Sequence, residues 1–158
     1  MEQIFSKLNF INNGEGFTDI TNELNLFIQK SNYNSGILNL TSLHTSCSLT
    51  INENADPNVL KDLKKFMQSI VPYNCYTSLS KDREVIYYKH FQEGEDDMPA
   101  HIKTSLTNTN LSLSFKKGRI ILGTWQAIYL WEHRFTKKER MISVHIIGEK
   151  NLNTYNDR

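Results

Sequence analysis

The apolar positions change period several times along the chain, and these changes mark out its elements. In "EQIFSKLNF" (residues 2–10), Ile4, Leu8 and Phe10 fall loosely on one side, which predicts a first strand. "GEGFTDI" reads as a turn. Ile20, Leu24, Phe27 and Ile28 then recur at helical spacing, predicting an amphipathic helix near 20–30 that is over by Gly36. "ILNLTSLHTSCSLTIN" (37–52) predicts one extended strand. On it, Leu38, Leu40, Ser42, His44, Ser46 and Ser48 share one face, while Leu43, Cys47, Leu49 and Ile51 form an apolar core face.

The strongest helical signal lies in "ENADPNVLKDLKKFMQSIVP" (53–72). Asp56 is placed to cap it, Pro57 suits its first position, and Val59, Leu60, Leu63, Phe66, Met67 and Ile70 form its stripe. Lys61, Lys64 and Lys65 read as its solvated face. "REVIYYKH" reads as a strand. "LSLSF" and the long run 119–134 read as antiparallel strands joined at Lys117-Gly118, and "RMISVHIIGE" as a last strand paired back through "TKKE". Helices and mostly hairpin-connected strands predict an α+β fold of mixed or antiparallel sheet with two main helices. It is expected over residues 1–150, with a frayed polar tail at 151–158.

Composition narrows the function classes. A net charge of +1 supplies no global field for nucleic acid. No apolar run approaches the roughly 20 residues that cross a bilayer. The start "MEQIFSKLNF" does not read as a signal peptide, and two cysteines without CxxC spacing read as free thiols. The expected location is cytoplasmic.

The candidate chemistry centres on "HFQEGEDDMPAHIK" (90–103), where two histidines bracket an acidic cluster. With His44 they give three imidazoles on predicted strand ends and a helix start. That set can hold a divalent ion, zinc or magnesium, and leave a position open for water or substrate. Glu93, Asp96 or Asp97 could join the ion or orient an imidazole. His145, alternating with Val144 and Ile146, reads as structural. Glu53, between strand and helix, is displayed where a general base could stand, and Asp56 is expected to be a cap. Along 123–134, Gln126, Ile128, Leu130, Glu132 and Arg134 share one face, and Trp125, Tyr129, Trp131 and His133 the other. Arg134 either pairs with Glu132 or turns its planar fork to a phosphate or carboxylate. Both faces are largely apolar, so one is expected to meet another subunit. No glycine-rich phosphate loop is present, and "GEG" at 14–16 lacks the rest of that pattern.

Four segments together, "LHTSCSLTINENADP", "HFQEGEDDMPAHIK", "KGRIILGTWQAIYLWEHR" and "ISVHIIGE", resemble the YjbQ family, also described as secondary thiamine-phosphate synthase enzymes. Cys47 stands where that family usually has alanine, and "NCYTSLSKDREVIYYKH" is longer than its usual link. The resemblance implies a compact α+β domain, a homotrimer, and weak thiamine-phosphate synthase activity on small phosphorylated molecules. That reaction joins a hydroxymethylpyrimidine diphosphate to a thiazole phosphate and releases pyrophosphate. On this reading Glu53, Asp97 and Glu132 are catalytic. Ser46, Asn54, Lys103, Trp125, Gln126 and Arg134 bind substrate or phosphate, and His44, His90 and His101 hold the metal. The alternatives are a metal-dependent hydrolase of another small molecule and a non-catalytic ligand-binding trimer.

Overall fold

The computed structural model describes residues 1–151. In chain order the elements are β1 (Glu2–Ile11), β2 (Gly16–Asp19), α1 (Thr21–Lys30), β3 (Tyr33–Ser42), β4 (Cys47–Glu53), α2 (Pro57–Ile70), β5 (Cys75–Thr77), β6 (Val85–Tyr87), α3 (Asp97–Ser105), β7 (Asn110–Lys116), β8 (Arg119–Ile120), β9 (Gln126–Glu132) and β10 (Glu139–Lys150). The fold is α+β and every ladder is antiparallel. Five strands run in the order β1-β10-β3-β7-β8, three in the order β2-β9-β4, and β5 pairs with β6 in a small hairpin.

The main core fills the space between the two larger sheets. Leu38, Leu40, Leu113, Phe115, Val144 and Ile146 point in from the five-stranded sheet. Cys47, Leu49, Ile128 and Leu130 come from the three-stranded sheet, and α1 adds Leu24 and Ile28. The other face of β9 is buried within the same chain, where Trp131 packs against Met67 and Val71 with Phe17 and Ile102 beside it. The alternation along β9 therefore vanishes because both of its faces are covered.

α2 forms where its stripe and cap predict, and the Asp56 side chain accepts from the Asn58 N–H at 2.8 Å. Lys117 and Gly118 both take positive φ, 53° and 70°, which matches the twist of a two-residue hairpin turn between β7 and β8.

Several expectations are corrected. The run 37–52 is two strands in different sheets. Leu43–Ser46 breaks it, so Leu38 and Leu40 face the core as fully as Leu49 does, and Leu43 is exposed. The run 119–134 also divides: β8 ends at Ile120, and β9 joins the other sheet. β10 pairs with β1 and β3 rather than back onto β9, and "GEGFTDI" contributes the short strand β2. Lys64 leaves the solvated face to donate to the Glu15 carbonyl at 2.8 Å. The tail expected over 151–158 lies, beyond Asn151, outside the described residues. No helix among the described residues is long and apolar enough to cross a membrane.

Candidate metal centre and adjoining cleft

The segment 90–103 bends back on itself before it becomes α3. Gly94 makes the bend with φ 121°, a conformation that L side chains rarely adopt, and a Cβ there would stand 3.2 Å from Asp96 Oδ1. The Asp97 side chain accepts from the Glu93 N–H at 3.3 Å, closing the turn. Arg134, just past β9, fastens the loop. Its Nε donates to Asp96 Oδ2 at 3.1 Å, one Nη to Glu93 Oε2 and Asp97 Oδ1 at 3.0 Å each, and the other to the Glu93 carbonyl at 2.8 Å. Burial pushes the Asp96 carboxyl up, but the Phe135 amide and the Arg134 guanidinium outweigh it and hold Asp96 below its usual range.

With the loop so held, His90, Asp97 and His101 converge, each offering a ligand atom within 4.8 Å of the others. His90 Nε2 lies 3.2 Å from Asp97 Oδ2 and His101 Nε2 lies 3.5 Å from Asp97 Oδ1. Two ligands of one tetrahedral zinc ion stand about 3.3 Å apart, so these spacings suit such an ion. His101 Nδ1 meets the Thr45 carbonyl at 2.9 Å and can only donate to it. Its Nε2 therefore faces the carboxylate as a bare lone pair unless a proton or a cation lies between them. A backbone carbonyl on the far nitrogen is how metal-binding imidazoles are usually oriented.

His44 does not join this group. Its Nε2 accepts the Met141 N–H at 2.8 Å, which corrects its expected place in a histidine trio and puts Asp97 there instead. Burial lowers the His44 pKa, and the nearby Arg140 charge lowers it further. His44 lines an open cleft of about 440 Å³ that continues past His101 to Ser105 and Thr107.

The charged residues expected to touch substrate are engaged elsewhere. Glu132 is fully buried; it accepts from Arg140 at 2.6 and 2.7 Å, from Asn12 at 2.5 Å, and from the His133 and Arg134 amides. That set leaves it no capacity for general acid–base work. Ser46 Oγ accepts from Arg140 at 2.9 Å, so it belongs to the same network. Lys103 is buried with its Nζ 2.6 Å from Glu15 Oε1 and 3.3 Å from the Tyr73 hydroxyl. Arg134 holds carboxylates where a phosphate was expected. Glu53, Asn54, Trp125 and Gln126 cluster at the other end of the β4–β9 ladder, where Glu53 lies opposite Gln126. Six residue steps along β4 put that cluster about 20 Å from the Cys47–Glu132 end. Trp125 is 64% exposed there, outside the strand face assigned to it.

Sequence reasoning passed over Asn12, Glu15, Tyr73 and Arg140, and left His133 aside. For Arg140 a signal existed: it shares the period-two face of Ile142, Val144 and Ile146, so a charge was aligned with core positions. His133 is buried, with Nε2 2.6 Å from Ser48 Oγ. Burial, with the Lys103 and Arg140 charges, pushes its pKa down to about 3.

This fold coincides with that of a known class of small α+β proteins. The family model described as "UPF0047 protein YjbQ-like" matches residues 6–149, and the chain belongs to that family. The UPF0047 protein YjbQ of Escherichia coli O157:H7 is 44% identical over 135 residues, covering 85% of this chain and 90% of that one. A UPF0047 protein of Synechocystis is 39% identical over 136 residues, covering 86% of each. A crystal structure of a YjbQ/UPF0047 family protein from Clostridium acetobutylicum has a TM-score of 0.71 at 33% identity, covering 91% of this chain and 99% of its own. A conserved hypothetical protein of Thermus thermophilus gives 0.73 at 30%, covering 90% and 99%.

Proposed function

We propose that this chain binds one zinc ion at His90, Asp97 and His101 and acts on a small polar molecule held in the adjoining cleft, the reaction being hydrolysis. The observation that carries this is His101: its Nδ1–H is committed to the Thr45 carbonyl while its Nε2 faces Asp97. Two imidazoles and one carboxylate form a donor set suited to zinc, whereas magnesium prefers oxygen ligands throughout. When bound, zinc supplies a Lewis acid that activates water near neutral pH. The chain's own part is to hold the ligands still. Thr45 fixes the His101 tautomer, and Arg134 and the Glu93 amide fix the Asp97 carboxylate.

Dialysis against zinc followed by elemental analysis is expected to give one ion per chain. His90→Ala and His101→Ala should lower the affinity at least about tenfold, while His44→Ala keeps the ion. No bound zinc would overturn the reading in favour of plain histidine–aspartate ion pairs, and loss of zinc with His44→Ala alone would overturn it in favour of a metal site at His44.

Thiamine-phosphate synthesis is a second reading, favoured by the exposed Trp125 indole, whose face is free to stack on a heteroaromatic ring. Its expected phosphate partners Lys103 and Arg134 are the weaker part, since both are already paired with carboxylates. Condensation consumes two substrates and hydrolysis one, so product analysis separates the two. We also propose the homotrimer that the family resemblance implies. In it the Trp125 end of one subunit is available to the cleft of another. β9 no longer argues for such an assembly, because its second face is covered by Met67 and Val71. Sedimentation of dilute protein as a monomer would end the proposal.

A further inference from the structure

We infer that, in the metal-free chain, the cleft beside His101 selects an uncharged molecule rich in hydrogen-bond donors, a polyol or an amino-bearing ring, over a phosphate or a carboxylate. This rests on the same cleft as the reading above and names what it takes. The inference follows from an inventory of polar groups.

The charge inventory comes first. Lys103, Arg134 and Arg140 are the cations built around this end of the molecule, and each is held by a carboxylate at 2.6 to 3.1 Å. Lys103 is 1% exposed and is not among the residues that line the cleft. An anion entering the metal-free cleft would lose its water without gaining a charged partner, which is costly.

The direction of the hydrogen bonds comes second. Along α3 and the turn after it, Thr104 Oγ1 donates to the Ala100 carbonyl at 2.9 Å, Ser105 Oγ to the His101 carbonyl at 2.9 Å, and Thr107 Oγ1 to the Lys103 carbonyl at 2.7 Å. A hydroxyl has one hydrogen and two lone pairs. With their hydrogens directed back to the helix, the Thr104 and Ser105 hydroxyls offer oxygens to a ligand, whereas the Thr107 oxygen already accepts from the Ser48 hydroxyl. This wall of the cleft therefore accepts. Donation comes from the opposite wall, where His44 Nε2 already accepts the Met141 N–H, so the neutral ring carries its hydrogen on Nδ1. A matching ligand donates toward α3 and offers one acceptor toward His44. A phosphate monoester, which mainly accepts, meets the wrong wall.

Amide spectra of metal-free, 15N-labelled protein test this with matched pairs: ribose against ribose 5-phosphate, and adenosine against adenosine monophosphate. At least one neutral member is expected to shift the amides of residues 42–45 and 104–109, saturating at a concentration at least about tenfold below its phosphorylated partner. Ser105→Ala, at an exposed position, should weaken that binding about threefold or more through the lost acceptor. Long-range 15N spectra should find the His44 proton on Nδ1. Earlier saturation by the phosphorylated members, no shift by either neutral compound at its solubility limit, or a His44 proton on Nε2 would each overturn the inference. Because zinc is absent, these outcomes are separate from those of the zinc titration of His90, Asp97 and His101.

Discussion

The two ends of the β4–β9 ladder carry similar residue types and use them in opposite ways. At the Cys47–Glu132 end, Glu132, Arg140 and Arg134 are buried and every carboxylate is matched to a guanidinium or an amide. At the Glu53–Gln126 end, the Asn54, Trp125 and Gln126 side chains are exposed, and the Asn54 amide is tied only to the Trp125 carbonyl. The same carboxylate chemistry is scaffolding at one end and free at the other. Burial and partners decide which, and neither is written in the residue type.

Breaking the closed end should have the largest effect. Glu132→Ala leaves Arg140 buried beside no carboxylate and is expected to cost about 3–5 kcal/mol. Urea denaturation measures it, and a loss below about 1 kcal/mol would show that water reaches Arg140. A second test reads pH. His133 is held near a pKa of 3 against about 6.5 unfolded, so the unfolded chain takes up the proton first. Its stabilising contribution is therefore full above pH 6.5 and is lost as pH falls toward 3. The melting temperature of the native chain should drop more steeply from pH 7 to 5 than that of His133→Gln; parallel curves would mean that His133 is solvated. Asp56→Ala removes one helix cap and should cost about 1 kcal/mol. Glu53→Gln, at the open end, should change stability by less than about 0.5 kcal/mol. A larger loss there would show that the open end is covered in the assembled protein.

How much of this was legible depended on how local the cause was. The α2 helix was readable because its cap, proline and stripe all lie within twenty residues. The Asp97–His101 pair was readable in principle, since residues four apart on a helix meet. The break at Leu43–Ser46 was not. Alternating serines and a histidine look the same on a straight strand as across a bend, and this bend is fixed from far away. Ser42 donates to the Thr109 carbonyl, Leu43 to the Met141 carbonyl, and Met141 to His44. The misassignments of His44, Lys103 and Arg134 share that origin. Sequence names a charge or an imidazole, but its partner comes from a segment on average dozens of residues away.

The placement of β10 carries one more consequence, for the making of the protein. Residues 139–150 form the second strand of the five-stranded sheet, lying between β1 at residues 2–11 and β3 at residues 33–42. On the ribosome, β1 and β3 emerge before β10 with their pairing edges open, and they stay open until residues 139–150 have been synthesised. Closing the sheet is thus a late step over a very long loop, and contacts so distant along the chain make folding slow. During that wait the exposed strand edges are the nascent chain's aggregation hazard, and a chain cut short before residue 139 is expected to stay unfolded rather than to lose only an edge.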